Sequence, residues 1–448
     1  MRYLPTAPED ERLMLEEIGV GSVDELFASI PEGIRFAGRM ALEPALSEQE
    51  LEAFFRDLAA ASEGAGMTSF LGGGAYSHFV PSHVDQIVLR SEYYTAYTPY
   101  QAEVSQGTLQ TIFEYQTMIC LLTGMEVSNA SLYDGATACS EALLMAERVS
   151  RGRRKILISG AVHPHYREVC DTYLRHLGLE LEILPVRPDG RTCGETAARA
   201  ADADTAGVLI QSPNFLGVLE DVAALAETAH GAGAMLAVAV AEPLSLGIVR
   251  PPGELGADIV CGEAQSFGIP VSFGGPGLGF LAARLKQVRQ MPGRLVGRAF
   301  DVEGREGFVM ALATREQHIR RERATSNICT NQGLCMTMAT IYLATLGKVG
   351  LRRLAELNLQ KAAYMRRRLT EIDSVEAPHP PTYFNEFVVR LPVPAADALA
   401  ALEGKGILGG LDLGRFDQAW SHDLLVCATE LTTREAIDSL AAGLEAAL

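Results

Sequence analysis

Short apolar runs alternate with amphipathic segments through the middle of the chain. The runs are only four to six residues long and predict strands, at 155–159, 181–185, 207–211, 235–240, 258–261 and 278–282. The segments between them that have helical spacing of apolar positions are 136–150, 164–177 and 220–232. Because short strands joined by helices form a sheet covered on both faces, this pattern predicts a mostly parallel α/β sheet.

Helical patterns dominate the N-terminal region. Residues 8–63 predict helices, with Ser22 and Ser47 as N-caps. The sequence from Ser47 to Glu50 has the spacing of a capping box. We interpret this region as an arm, since it shows no strand pattern that would give it a sheet of its own.

The remaining helices define the domain organisation. Helices are predicted at 105–123, 332–346 and 350–373, and a further strand at 386–391. We therefore expect an N-terminal helical arm (1–66), a large α/β domain (67–325) and a smaller C-terminal α+β domain (326–448).

Composition and charge limit the classes of function. The 448 residues are 48% hydrophobic, yet no apolar run reaches the roughly 18 residues needed to span a bilayer. The N-terminus, MRYLPTAPEDER, resembles neither a secretory nor an arginine-rich transit signal, so the cytoplasm is the expected location. The formal net charge of −18 repels nucleic acid and anionic membranes, and we expect binding to neither.

The cysteines and lysines also carry information. The eight cysteines include no C-x-x-C pair, so we expect neither disulfides nor a metal cluster. The chain has five lysines, and none lies between Lys155 and Lys286. A general preference for arginine explains part of this depletion, but it cannot remove a catalytic lysine without ending the chemistry that the lysine performs.

A turn at 133–138, with the sequence YDGATA, opens a predicted helix with small residues. Backbone N–H groups at Gly135, Ala136 and Thr137 are suited to bind an anion, although the same residues also suit an ordinary capped helix. A helix N-terminus contributes only about 0.3–1 kcal/mol toward an exposed anion, so other anchors would be needed. His163 follows a predicted strand, where an imidazole either stacks on a ligand ring or serves the structure.

A dinucleotide-binding enzyme is disfavoured. The dense glycine run at 273–279, FGGPGLG, precedes a predicted strand instead of joining a strand to a helix. No acidic residue follows at the distance that the fingerprint requires.

Four motifs together resemble the glycine cleavage system P-protein family. They are YTAYTPYQAEVSQG at 94–107, NASLYDGAT at 129–137, GEAQSFGIPVSFGGPG at 262–277 and ATSNICTN at 324–331. The first motif is long and unusual in composition, and the resemblance extends over nearly the whole chain. It is closest to the alpha chain found where the family's protein is split in two.

The resemblance implies the fold of the PLP-dependent transferases of fold type I, with a mostly parallel seven-stranded sheet. It also implies that the lysine that binds pyridoxal phosphate (PLP) belongs to a beta chain. Here Gln265 stands where that lysine is expected, and an amide cannot form the imine. The strand at 235–241 lacks the acidic residue that would hold the pyridine nitrogen, and Glu242 is either a displaced substitute or unrelated to it.

We therefore expect a degenerate cofactor site in this chain. Its residues would be Gly135, Ala136, Thr137, His163 and Gln265, with no catalytic residue and no covalent PLP. PLP would be bound by the partner subunit.

The implied activity belongs to a complex. The alpha and beta chains, expected as alpha2beta2, would decarboxylate glycine and pass the aminomethyl group to the lipoyl arm of H-protein. The residues expected to reach the partner's site are Tyr94, Tyr97, Thr98, Tyr100, Gln101, Thr325, Ser326 and Asn327. For the tyrosines, packing in the interface is an equal alternative, and for Thr325 to Asn327 a helix cap before Gln332 is another.

Two other functions remain open at this stage. The chain could be a scaffold that only stabilises the beta chain, or an autonomous PLP decarboxylase that uses Lys155 or Lys286. The arginines at 315–323 either receive an acidic carrier protein or form a solvated helix face.

Overall fold

A computed structural model describes residues 6–36, 38–95, 97–328 and 330–448. The first five residues of the predicted arm, and Cys329 of the fourth motif, lie outside this range. The described chain forms two units, which divide after Glu63.

The first unit contains helices α1 (Pro8–Ile18) and α2 (Glu48–Ala60). Helix α2 begins with the predicted capping box, in which Ser47 Oγ accepts from Glu50 N at 3.3 Å and the Glu50 carboxylate accepts from Ser47 N at 2.8 Å. Ser22 precedes only a short 3₁₀ turn and forms no side-chain cap, so the prediction of a capped helix there is wrong.

The second unit carries the remaining elements. Its helices are α3 (Ser82–Val88), α4 (Ser91–Tyr94), α5 (Gln106–Thr123), α6 (Gly135–Ser150), α7 (Pro164–Leu174), α8 (Gly194–Ala200), α9 (Val222–Gly231), α10 (Gln317–Arg320), α11 (Gly333–Thr370), α12 (Ala395–Glu403) and α13 (Arg434–Glu445). Its strands are β1 (Thr68–Ser69), β2 (Val127–Ser128), β3 (Lys155–Ser159), β4 (Glu180–Leu184), β5 (Thr205–Gln211), β6 (Met235–Val240), β7 (Ile259–Glu263), β8 (Gly279–Ala283), β9 (Leu295–Phe300), β10 (Glu306–Ala311), β11 (Glu386–Arg390), β12 (Ile407–Leu408), β13 (Leu411–Asp412) and β14 (Asp423–Cys427).

Seven strands form the central sheet, in the order β2-β8-β7-β6-β5-β3-β4. Strands β7, β6, β5, β3 and β4 run parallel, and β8 is antiparallel to both of its neighbours. All six predicted strands of this region are present, and β3 and β6 match the prediction at both ends. The mostly parallel sheet of seven strands is as expected.

Helices cover both faces of this sheet. In β5, Val208 and Ile210 pack with α5, α9 and α11, while Leu209 between them packs with α6 and α7. Successive strand residues thus point to opposite faces, and both faces are apolar because both are buried.

The C-terminal region has a separate core. Strands β11, β14 and β13 form an antiparallel sheet covered by α12, α13 and the second half of α11. Helix α11 is interrupted at Gly347, whose φ of 55° and ψ of −175° are not helical, so the two predicted helices with a break between them are confirmed. By length and composition α11 could cross a membrane, but this break and its many buried residues are those of a helix that packs in the core.

The hairpin of β9 and β10 was not predicted. Charged residues such as Arg298 and Glu306 break its apolar pattern, and ten of its twelve residues are at least partly exposed. The segment at 315–323, interpreted as a helix face, forms only short helical turns, in which the Arg315 guanidinium donates to the carbonyls of Met291 and Gly293.

Gly217 is required where the loop after β5 meets the C-terminal sheet. Its φ is +81°, and a Cβ atom there would lie 2.3 Å from the carbonyl oxygen of Glu386. We expect Gly217→Ala to lower the free energy of unfolding by about 3 kcal/mol or more, because it adds strain and a backbone clash. Thermal unfolding of the purified chain measures this loss.

Gly231→Ala is the matched control, since Gly231 ends α9 and a Cβ there meets no atom within 4 Å. It should leave stability unchanged or raise it by up to about 1 kcal/mol. Equal effects of the two changes would contradict the explanation.

Candidate functional site

The predicted cofactor residues gather at the carboxyl edge of the parallel strands. His163 follows β3, Glu242 follows β6 and Gln265 follows β7. Gly135 begins α6, and its N–H lies within hydrogen-bond distance of Glu263, the last residue of β7. Ligands of open α/β sheets bind at this edge, so the chain brings these residues to the position where a site is expected.

Gln265 is fixed by two hydrogen bonds. Its Oε1 accepts from Tyr76 N at 3.1 Å, and its Nε2 donates to the carbonyl of Ile269. The residue is 7% exposed. Its amide therefore connects the Gly-rich loop at 70–76 to the chain that follows β7. An amide held in this way has no lone pair available to attack a carbonyl carbon.

The helix N-terminus at Gly135 already binds an anion, and that anion is a side chain. Glu263 Oε2 accepts from Gly135 N at 3.0 Å, while Asp134 Oδ1 caps the helix by accepting from Thr137 N at 2.7 Å. The partly exposed Ala136 lies between these two positions. Two of the three N–H groups of the predicted anion turn, those of Gly135 and Thr137, are thus used by carboxylates of this chain.

Space above this turn is limited too. A Cβ atom at Gly135 would lie 2.3 Å from the Tyr166 hydroxyl and 3.0 Å from the Glu263 Cβ. Burial raises the pKa of Glu263 to about 7, although hydrogen bonds from the backbone of Leu278 and Gly135 oppose the shift.

His163 is packed inside the chain and does not present a free face. Its Nε2 donates to the Gly73 carbonyl at 2.7 Å, and its ring lies 4.9 Å from both the Tyr166 and the Phe215 rings. A Cβ atom at Gly74 would be 2.9 Å from its Cδ2. Burial lowers the pKa of His163 to about 4, so the ring is neutral.

Glu242 belongs to a buried charge cluster. Its Oε2 accepts from His78 Nε2 at 2.9 Å and from Ser266 Oγ at 3.1 Å, and His78 Nδ1 lies 2.8 Å from Glu430 Oε2. Burial opposes a charge on His78, but Glu242 and then Glu430 outweigh it and raise the pKa of His78 to about 9. Glu242 is therefore paired with an imidazolium of its own chain.

These contacts do not fit PLP bound in the manner of a lysine-bearing subunit. The predicted imine position holds an engaged amide, the predicted anion turn holds the Glu263 carboxylate, and Glu242 is neutralised by His78. The side chains of Gln265, Glu242 and His163 and the N–H groups of Gly135 and Thr137 thus already have partners within the chain.

The 94–101 segment of the first motif lies on the surface, and a buried arginine donates hydrogen bonds to it. Arg294, which is 4% exposed, donates to Thr98 Oγ1 at 2.9 Å and to the Tyr100 hydroxyl at 3.0 Å. Its Nε also lies 3.3 Å from Glu316 Oε2. Tyr97 is 77% exposed, and Tyr94 and Gln101 are exposed as well.

The second predicted interface motif is hydrogen-bonded to helix α6. Ser326 Oγ donates to Glu141 Oε1 at 2.6 Å, and the Asn327 side chain bonds to Tyr173. Thr325 N donates to the carbonyl of Arg315, which adjoins Glu316. The segment at 315–316 therefore contacts both motifs.

Sequence reasoning missed Glu263, His78, Glu430 and Arg294. Glu263 lies within a quoted motif, two residues before Gln265, and a carboxylate beside a predicted anion turn was a detectable signal. The other three lie far from their partners along the chain, and no local pattern distinguishes them.

The Glu242–His78–Glu430 cluster predicts a dependence of stability on pH. The pKa of His78 is higher in the folded than in the unfolded state, so its contribution is complete below pH 6.5 and is lost as pH rises through about 9. Between pH 7 and 9.5 we expect the wild-type chain to lose about 2–3 kcal/mol through this group. His78→Gln should remove most of that slope in urea unfolding.

His83→Gln is the control, because the His83 ring contacts the hydroxyl of Thr345 instead of a carboxylate. It should keep the wild-type slope. If the free energy of unfolding depends on pH in the same way in wild type and His78→Gln, the imidazolium of His78 does not stabilise the cluster.

Comparison with known proteins places the chain in a family. The family model described as glycine cleavage system P-protein matches residues 1–444. A probable glycine dehydrogenase (decarboxylating) subunit 1 from Thermomicrobium roseum is 52% identical over 451 residues, covering 100% of both chains. The protein of the same description from Rhodospirillum rubrum is 50% identical over 453 residues, again covering 100% of both.

Solved structures agree with these relatives. A crystal structure of glycine decarboxylase (P-protein) of the glycine cleavage system, in inhibitor-bound form, has a TM-score of 0.91 and 43% identity and covers 100% of both chains. A Lactobacillus brevis glutamate decarboxylase has a TM-score of 0.70 at 13% identity, covering 94% of this chain and 97% of its own, which shows the fold alone. The relatives from Thermomicrobium roseum and Rhodospirillum rubrum are both described as subunit 1 of glycine dehydrogenase (decarboxylating). The chain belongs to the glycine cleavage system P-protein family.

Proposed function

We propose that this chain is the alpha subunit of a heteromeric glycine dehydrogenase in which PLP is bound by a lysine-bearing beta subunit. The observation that carries the proposal is the engaged amide of Gln265 at the end of β7, together with Glu263 on the amide of Gly135. When bound to the beta subunit, PLP acts as an electron sink for the loss of CO2 from glycine. The aminomethyl group then passes to the lipoyl arm of H-protein.

This chain would act by presenting side chains to the partner's site. Arg294 fixes Thr98 and Tyr100, and the neighbouring Tyr94, Tyr97 and Gln101 are exposed. Glu141 and Arg315 fix Ser326 and Thr325, and Asn327 adjoins them. In symmetric or pseudo-symmetric pairs of homologous chains, residues of one chain complete the site of the other, and these two motifs suit that role.

An autonomous decarboxylase is disfavoured by the position of the two candidate lysines. Lys155 begins β3, and its ammonium lies 3.1 Å from Glu182 and donates to the Ala200 carbonyl at 2.8 Å. Lys286 follows the antiparallel β8. Both therefore lie at the edge of the sheet opposite to Gln265.

The assembly that we propose is alpha2beta2, located in the cytoplasm and served by lipoylated H-protein. The net charge of −18 supports the absence of nucleic acid and of anionic membranes among its ligands. The names of the relatives as subunit 1 support a second kind of subunit.

Reconstitution tests the proposal directly. We expect glycine-dependent exchange of CO2 only when this chain is combined with the lysine-bearing chain, PLP and lipoylated H-protein. Borohydride reduction of the complex, followed by peptide mass spectrometry, should find the PLP adduct on the partner and none on this chain. Exchange by this chain alone, or a stoichiometric adduct on one of its five lysines, would overturn the proposal.

Point variants separate a contribution to the site from a scaffold role. We expect Tyr97→Phe and Ser326→Ala each to lower kcat/KM for glycine about tenfold, or about 1.4 kcal/mol, because the first removes an exposed hydroxyl and the second removes the contact with Glu141 that positions the motif. Tyr364→Phe and Ser150→Ala remove hydroxyls that bond to Asp438 and to the Ala206 carbonyl, outside either motif. These controls should keep wild-type kinetics.

The complex must still form in each variant, which size-exclusion chromatography checks. If Tyr97→Phe and Ser326→Ala form the complex with unchanged kinetics, the chain is a scaffold.

A further inference from the structure

The chain from Gln265 to Leu278 forms a loop that is closed at its base by one carboxylate. Glu263 Oε1 accepts from Gln265 N at 3.0 Å and from Leu278 N at 2.6 Å. Ala264 N also donates to the Leu278 carbonyl at 2.7 Å. Both ends of the loop are thus fixed beside the candidate site, and only its tip extends away from it.

The tip has an unusual backbone. Ser272 has a φ of 40° and Phe273 a φ of 58° with a ψ of 23°, so two consecutive residues with side chains adopt the left-handed conformation. The N–H groups of Gly274 and Gly275 both donate to the Val271 carbonyl, which orders the turn. The left-handed conformation costs free energy in residues other than glycine, and such strain concentrates at functional positions.

This strained turn presents an aromatic ring to solvent. Phe273 has a relative exposure of 113%, which is the highest among the exposed large hydrophobic residues of the described chain. The ring has neither packing nor charge pairing to offset the strain. The loop from 265 to 278 carries no charged side chain, so its surface suits an apolar receptor.

We propose that Phe273 is an anchor residue that inserts into an apolar pocket of the beta subunit. This inference rests on the proposed function, because it needs the heteromeric complex. The partner is favoured over H-protein because an uncharged aromatic tip is typical of the core of a permanent interface, whereas transient contacts are more polar. Single aromatic residues at the centre of such interfaces often carry a large share of the affinity.

Because the turn is strained, replacing Phe273 by glycine should lower the affinity for the beta subunit and raise the stability of this chain. We expect Phe273→Gly to weaken binding of the PLP-loaded beta subunit at least about 30-fold, because the ring is lost. In this chain alone, the same change should raise the midpoint of thermal unfolding by about 1–2 °C, because glycine tolerates the left-handed conformation. Phe273→Ala should weaken binding equally without that gain in stability.

Two controls isolate the ring. Ser272→Gly relieves the neighbouring strain but keeps the ring, so it should raise the midpoint and keep the affinity within about threefold. Phe300→Ala removes another exposed aromatic side chain, 63% exposed and on the extended backbone of β9, and should also keep the affinity within about threefold.

The outcomes distinguish this inference from the proposed function. If the wild-type chains bind and exchange CO2 but Phe273→Ala binds with wild-type affinity, the anchor is refuted and the alpha-subunit function stands. If Phe300→Ala weakens binding as much as Phe273→Ala, the ring at 273 has no special role and the inference is again refuted. If the wild-type chains neither bind nor exchange CO2, the proposed function itself fails.

Discussion

The arrangement of the site depends on one buried carboxylate that must find hydrogen-bond donors. Glu263 accepts from the backbone of Gly135, Gln265 and Leu278, which belong to three different parts of the chain. An ionised carboxylate removed from water is costly unless its oxygens are satisfied, so these three N–H groups are held at fixed positions around it. The start of α6, the end of β7 and the start of β8 thereby acquire a common geometry, and the rest of the carboxyl edge is built on it.

A second buried cluster joins the central sheet to the C-terminal core by similar means. His78 lies between Glu242, which follows β6, and Glu430, which follows β14. Asn358 of α11 also donates to Glu430, at 3.1 Å. A buried charge that loses its partner destabilises by several kcal/mol, so the two regions cannot easily separate while the cluster is intact. The electrostatic groups of this chain therefore hold the fold together, whereas in a PLP enzyme the groups at this edge bind the cofactor.

The sequence predicted most of what depends on local pattern and little of what depends on distant pairing. Strands β3 and β6 were predicted to the residue because both are continuous apolar runs with distinct ends. The hairpin of β9 and β10 was missed because its exposed side chains interrupt the pattern, whereas the break in α11 at Gly347 was predicted. The anion turn at Gly135 was recognised, but its occupant, 128 residues away, was not.

The contact between Glu263 and Gly135 also has an evolutionary consequence. Replacing Gln265 by lysine would restore an amine, but the carboxylate would still occupy the helix N-terminus and Tyr166 would still cover it. Replacing Glu263 alone would leave the three N–H groups without their acceptor. Each single step toward a cofactor-binding chain is thus unfavourable by itself, and a gain would require both changes together.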